Sequence, residues 1–105
     1  MTVYVDDMQL EAVVGPVSGV WSHLLSDLPG EAGRRELLEF AGRLGLEARW
    51  LQNPGTATEH FDVTEPTRQR ALALGAMPIS YGRAVAAITR AKREAAAPPA
   101  DGSRA

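Results

Sequence analysis

Residues 31–46 read EAGRRELLEFAGRLGL, and this stretch carries the clearest structural signal in the chain. Leu37, Phe40, Ala41 and Leu44 recur at i, i+3, i+4 and i+7, one apolar stripe of a helix. Arg34, Arg35, Glu39 and Arg43 fall off that stripe. Gly45 follows the last apolar residue, where a left-handed backbone ends a helix without a Cβ clash. The next residues, Leu46 to Gln52, read as a strand. The same junction recurs 30 residues later, at Leu74-Gly75-Ala76. Two leucine–glycine junctions each close a helix and open a strand, and Leu44 and Leu74 are expected to be buried as anchors of their last turns.

Working outward, Thr2-Val3-Tyr4-Val5-Asp6 reads as a short buried strand ending in acid. Residues 8–22 mix Gly15, Pro16 and Gly19 with valines and read as irregular, with an extended piece at 17–21. Ser22 can cap one helical turn through Asp27. Asn53-Pro54-Gly55-Thr56 has turn chemistry. It lacks the lysine and length of a phosphate-binding P-loop, so a plain turn is the favoured reading. Thr64 suits an N-cap, with Glu65 and Pro66 in the first turn of a helix to Leu74. Residues 76–80 form a third strand, which Pro78 places at an edge. Ser80 can cap a last helix over about 81–95. The tail 97–105, rich in Pro, Ala, Gly and Ser, is expected to be disordered. Strands alternating with helices predict a small single α/β domain over residues 1–96, with a short, mostly parallel sheet of about three strands and three helices.

Composition narrows the function classes. The chain has 105 residues, a net charge of −2 and no cysteine. Disulfides, thiolate zinc sites and cysteine nucleophiles are thereby excluded. Acids and bases are interspersed, which argues against a nucleic-acid footprint. No signal-peptide pattern and no apolar run of about 20 residues is present, so a cytoplasmic protein and no membrane partner are expected. Short sheets with open edges favour pairing, and a homodimer is expected.

The candidate site residues lie in a few compact strings. His60 and Asp62 are i and i+2, which share a face on an extended segment. The pair can bind a metal, or Asp62 can orient the imidazole. The plainer alternative has Asp62 capping the next helix and His60 on a loop. His23, beside Ser22, can act as base, ligand or phosphate donor, or simply satisfy a backbone group. Asp6 and Asp7 end the first strand, where a carboxylate suits a hard cation or acid–base work, or only a solvated turn. The candidate catalytic set is therefore His23, His60, Asp62 and Asp6. The candidate ligands of a divalent metal are Asp6, Asp7, His60 and Asp62. Trp21, Arg49 and Gln52 are candidates for binding a small polar or anionic ligand, against the blander readings of core aromatics and a surface arginine. No dinucleotide fingerprint or nucleophile elbow appears.

The strings Val3-Tyr4-Val5-Asp6-Asp7-Met8, Trp21-Ser22-His23-Leu24 and Arg49-Trp50-Leu51-Gln52 stand in that order. They are followed by Pro54-Gly55-Thr56, His60-Phe61-Asp62-Val63-Thr64 and Ala73-Leu74-Gly75-Ala76. Together they resemble DUF4031, a family of short bacterial and phage proteins of unknown function, over roughly residues 2–90. The segment 27–33 and Pro78 depart from the expected pattern. The resemblance implies that these strings belong to one site, and it brings no activity with it. Two functions remain open: a hydrolase or phosphoryl-type enzyme with an Asp/His pocket, metal-assisted or not, and a non-catalytic small-ligand-binding or accessory protein.

Overall fold

The computed structural model describes residues 2–96. The chain opens with β1 (Val3–Asp6), β2 (Leu10–Val14) and β3 (Val17–Ser26). Residues 8–22, expected to be irregular, instead build a long antiparallel hairpin. Gly15, with φ 59°, and Pro16 are the two central residues of its turn. Proline holds φ near about −65°, so only the first position can be positive, which makes this a type II′ turn. Val14 pairs with Val17, and the ladder runs back to Leu10 opposite Trp21. Ser22 is a buried strand residue whose hydroxyl accepts the Gln9 N–H at 3.1 Å, not a helix cap.

β1 lies along the same edge of β3, with Val3 opposite Ser26 and Val5 opposite Leu24. Because Val5 faces Leu24 and Leu10 faces Trp21, residues 6–9 oppose only residues 22–23. That excess is an extended bulge, with Gln9 at φ 47°. Bulges break the ladder locally and re-aim side chains.

On the other edge of β3 lies β4 (Phe61–Thr64), antiparallel, with Trp21 opposite Thr64 and His23 opposite Asp62. β5 (Met77–Ile79) runs parallel to β1, as an edge strand. Five strands thus form a mixed, mostly antiparallel sheet, not three mostly parallel ones. The physical reason is the two-residue turn: it can join only antiparallel neighbours, whereas a parallel pair needs a crossover.

Among the described residues three helices complete the fold: α1 (Gly30–Arg43), α2 (Glu65–Ala73) and α3 (Arg83–Ala96). Leu37, Phe40, Ala41 and Leu44 of the α1 stripe pack on Val3, Val5, Leu24, Phe61 and Val63 of one sheet face, with Ala71 of α2 beside them. Complete burial of side chains such as Leu37, Leu24 and Phe61 contributes about 1.5–3 kcal/mol each. Gly45 and Gly75 take φ 82° and 109°, so both helices end in the left-handed turn that glycine permits. Leu44 is 3% exposed, as an anchor should be, but Leu74 is 40% exposed. Ala71 and Ala76 close that corner instead.

Two further segments differ from expectation. Leu46–Gln52 is not a strand: Ala48–Trp50 forms a 3-10 turn with no buried residue, and only Gln52 makes a bridge, to His60. Leu46 and Leu51 pack against the core from either end of the turn, and the polar and exposed residues between them have no strand to pair with. The last helix starts at Arg83, after a Tyr81-Gly82 turn with Gly82 at φ 90°, so Ser80 does not cap it. Lys92 of α3 is buried and donates to the Ser26 carbonyl at 3.0 Å. Burial lowers its pKa below 10.5, against the charges of Glu59 and Asp27. The C-terminal tail at 97–105 lies outside the described residues.

Alternation along β3 leaves Trp21, His23 and Leu25 on the face turned away from Leu24 and its core. Trp21 and Leu25 are buried there, outside the main core. That second face carries the candidate site.

Candidate functional site

Asp6 stands at the bulge and is 0% exposed. One carboxylate oxygen accepts the backbone N–H of His23 at 2.9 Å and of Met8 at 3.2 Å. The other lies 2.7 Å from His23 Nδ1. The bulge thus hands the His23 amide, which a regular ladder would pair with backbone, to the Asp6 side chain. The Arg68 guanidinium donates to the Asp6 carbonyl at 2.8 Å and ties α2 to this point. Burial alone would raise the Asp6 pKa. The bonds from the His23 ring and from the His23 and Met8 amides outweigh it and hold the carboxyl below 3.8. An ionised carboxylate only accepts, so His23 donates from Nδ1 and, when neutral, keeps a lone pair on Nε2.

His60 reaches the same state by another route. Its Nδ1 lies 2.8 Å from the Thr58 carbonyl, which can only accept, so Nδ1 carries the proton. Nε2 then faces the Asp62 carboxylate at 3.3 Å. His23 Nε2 lies 4.0 Å from that same oxygen. Strand pairing explains the convergence. His23 and Asp62 are direct cross-strand partners, and His60 sits two residues before Asp62 on the same face. The two imidazoles meet edge to face with centroids 4.9 Å apart. Burial lowers the His60 pKa, but the bonds to Asp62 and Thr58 and the charges of Asp62 and Asp6 raise it above 6.5. The bond from His60 holds Asp62 below 3.8 against its partial burial.

One ligand atom from each of His23, His60 and Asp62 lies within 4.8 Å of the others, so these three can hold a metal ion. Two donors bound to one zinc-sized ion at about 2.0–2.2 Å sit roughly 3–3.5 Å apart, so little movement is needed. Asp6 stands behind His23, with both oxygens already engaged. Asp7 points elsewhere: it is exposed and accepts the Tyr81 N–H at 2.7 Å.

Tyr81 was missed by sequence reasoning. Its ring stacks on His23 with centroids 5.5 Å apart. The available signal was an aromatic residue just past β5, the strand whose Ile79 pairs beside Asp6.

Next to the triad lies a cleft of about 640 Å³, lined by Trp21, Trp50, Arg49, Gln52, Asp62 and Thr64 among others. Asp62 therefore belongs to both. Trp21 is fixed by an indole N–H bond to the Ala12 carbonyl at 2.9 Å. The Arg49 guanidinium lies 5.9 Å from the Trp50 ring and pairs with Glu47. The Asn53-Pro54-Gly55-Thr56 segment is a turn closed by the Thr56 amide on the Asn53 carbonyl at 3.2 Å.

The family model of DUF4031, described as a protein of unknown function, matches residues 3–92. The chain belongs to that family. No curated protein and no solved structure gives a significant match. Among the described residues, no helix is long and apolar enough to cross a membrane.

Proposed function

We propose that this DUF4031 protein binds one divalent transition metal through His23 Nε2, His60 Nε2 and the Asp62 carboxylate, and uses it for hydrolytic or phosphoryl-type chemistry. The observation that carries this reading is the pair of Nδ1 contacts, from which the tautomer of each neutral ring follows. Both histidines spend Nδ1–H on an acceptor behind them, Asp6 for His23 and the Thr58 carbonyl for His60. Both Nε2 atoms then face one carboxylate, and in each neutral ring Nε2 is the nitrogen with the free lone pair. Metal-binding histidines characteristically donate their other N–H to a carboxylate or a backbone carbonyl, which fixes the ring and raises its basicity.

Two imidazoles and one carboxylate favour zinc, iron, manganese or related ions over magnesium and calcium, which prefer oxygen alone. Three protein ligands leave coordination positions open, the hallmark of a catalytic rather than a structural site. A bound ion supplies Lewis acidity and a water acidic enough to attack near neutral pH. The protein's part is then positional. Asp6 holds the His23 ring, Thr58 holds the His60 ring, and the cleft beside Asp62 admits the ligand.

The test is to strip the protein with chelator and titrate zinc, manganese, iron(II) and magnesium by calorimetry and thermal melting. One transition-metal ion per chain should bind and raise stability, by about 2.7 kcal/mol at 100 times its Kd. The loaded protein is then offered phosphate mono- and diesters and carboxylic esters. Binding lost in His60→Ala and His23→Ala, with turnover on one ester class, supports the reading. Metal binding without any turnover shifts it to metal-dependent ligand binding. No binding at all refutes it.

A further inference from the structure

We infer that the cleft beside the triad is a nucleotide site: the ring of a free nucleoside phosphate stacks on the exposed Trp50 against the wall that buried Trp21 closes, and its phosphate end meets Arg49 and the Asp62 corner. This deepens the proposed function and rests on it for the metal at that corner.

Three observations converge. The chain has two tryptophans, from segments far apart in sequence, and both line this one cleft. Trp50 has no core role: it is 45% exposed, on a 3-10 turn that buries no residue. A large aromatic surface left in water on a structured turn points to recognition. Trp21 is the neighbour of His23 on the same face of β3, and its cross-strand partner Thr64 is the same-face neighbour of Asp62. The cleft therefore continues the triad's own face, and a ligand seated against the Trp21 wall has its far end beside Asp62.

The chemistry of the remaining wall narrows the ligand. Gln52 exchanges two backbone bonds with His60, 2.8 and 3.2 Å, so its position is fixed while its carboxamide, a donor and an acceptor, is exposed at the cleft. A carboxamide reads a ring edge that carries both donors and acceptors, as nucleobases do. Arg49 lines the same wall in an exposed pair with Glu47, which an anionic ligand could exchange for, and a bound divalent ion at Asp62 would supply positive charge, so the ligand's other end is anionic. About 640 Å³ fits a single nucleotide-sized molecule. A net charge of −2 without a basic stripe favours a free nucleotide over a nucleic-acid strand.

The experiment follows tryptophan fluorescence of the full chain during titration with each of the four nucleoside monophosphates, ribose 5-phosphate, inorganic phosphate and a short single-stranded oligonucleotide. It is run with zinc or manganese and again with chelator, while metal binding is measured separately by calorimetry. Nucleotides should quench and bind at least tenfold more tightly than ribose 5-phosphate. Trp50→Ala should weaken nucleotide binding by roughly tenfold to a hundredfold, the scale of one base–aromatic stack, and leave metal affinity unchanged. Because Trp50 lies outside the core cluster, this variant should stay folded, and its melting temperature checks that. If metal fails to bind but Trp50-dependent nucleotide binding persists in chelator, the cleft inference stands and the metal reading falls. If metal binds as proposed but nucleotides and ribose 5-phosphate bind alike, or Trp50→Ala changes nothing, the cleft inference is overturned. Tighter binding of the oligonucleotide than of any mononucleotide also overturns it.

Discussion

Replacing Asp6 by asparagine should separate the fold from the metal site. The carboxylate accepts three bonds, from the His23 amide, the Met8 amide and the His23 ring. Asparagine is nearly isosteric, and its carbonyl oxygen can keep the two backbone donors. Its NH₂ group must then face His23 Nδ1, which has to become an acceptor. The proton moves to Nε2, where the metal needs a lone pair. Losing the charge from a buried, charge-assisted bond costs about 1–2 kcal/mol of stability, the difference between a charged and a neutral hydrogen bond. Metal affinity should fall about 10–100-fold, the usual effect of removing a group that orients a ligand histidine, which is about 1.4–2.8 kcal/mol. Calorimetry with zinc gives the affinity, and long-range ¹⁵N–¹H NMR of the imidazoles gives the tautomer. Asp6→Asn with the proton on Nε2 of His23 and the parent's metal affinity would refute the reasoning.

The remaining predictions concern acid, glycine and assembly. Asp6 and Asp62 have folded pKa values below 3.8, so their contribution is present above that value and is lost as the pH falls through the lower folded values. The metal-free melting temperature should therefore drop on acidification below about pH 4, and less steeply in Asp6→Asn. His60 has a folded pKa above 6.5, so its pairing with Asp62 is fully present below 6.5 and is lost as the pH rises through the higher value. His60→Gln should flatten that limb of the metal-free stability profile. Gly45→Ala and Gly75→Ala meet no atom within 4 Å, so each should cost only the backbone strain of φ 82° or 109°, about 1 kcal/mol by thermal melting. Gly33→Ala should cost more, at least the ~1–3 kcal/mol of overpacking, because its Cβ would stand 1.9 Å from the Leu28 carbonyl oxygen. Equal losses at Gly33 and Gly45 would contradict the packing of the α1 entry. Val13 is 70% exposed on the hairpin, outside the cleft lining, and a homodimer would cover it. Light scattering at high concentration should give twice the 11.2 kDa chain mass, and the monomer mass would end that expectation.

Local signals were legible in the residue order, and pairing between segments was not. The α1 stripe, its stop at Gly45, the α2 entry at Thr64 and the edge position of Pro78 each follow from a few adjacent residues. The sheet does not. Gly15-Pro16 reads as punctuation in an irregular stretch because glycine and proline usually interrupt elements. In a two-residue loop the same pair satisfies a type II′ turn, and that choice makes the neighbouring strands antiparallel. The error spread from there: with residues 10–26 removed from the sheet, alternation of strands and helices suggested parallel pairing. Leu46–Gln52 misled for the opposite reason, since apolar composition cannot reveal that Trp50 faces solvent. Within the site, His60 and Asp62 could be placed on one face from their spacing alone. The approach of His23 to Asp62 depends on β3–β4 register, and the place of Asp6 behind His23 depends on the bulge. Both are tertiary facts. Tyr81 is not legible as a site residue because its position suits the start of the last helix, whereas it forms the turn before it.

The most direct measurement is anomalous diffraction from crystals of the stripped protein soaked with zinc or manganese, recorded at the absorption edge of the ion. The result expected is one ion per chain, about 2.0–2.2 Å from His23 Nε2, His60 Nε2 and an Asp62 carboxylate oxygen, with Asp6 still bonded to His23 Nδ1. An ion bound through Nδ1 of either histidine, an ion seated away from this triad, or a triad left empty at saturating metal would contradict the central claim.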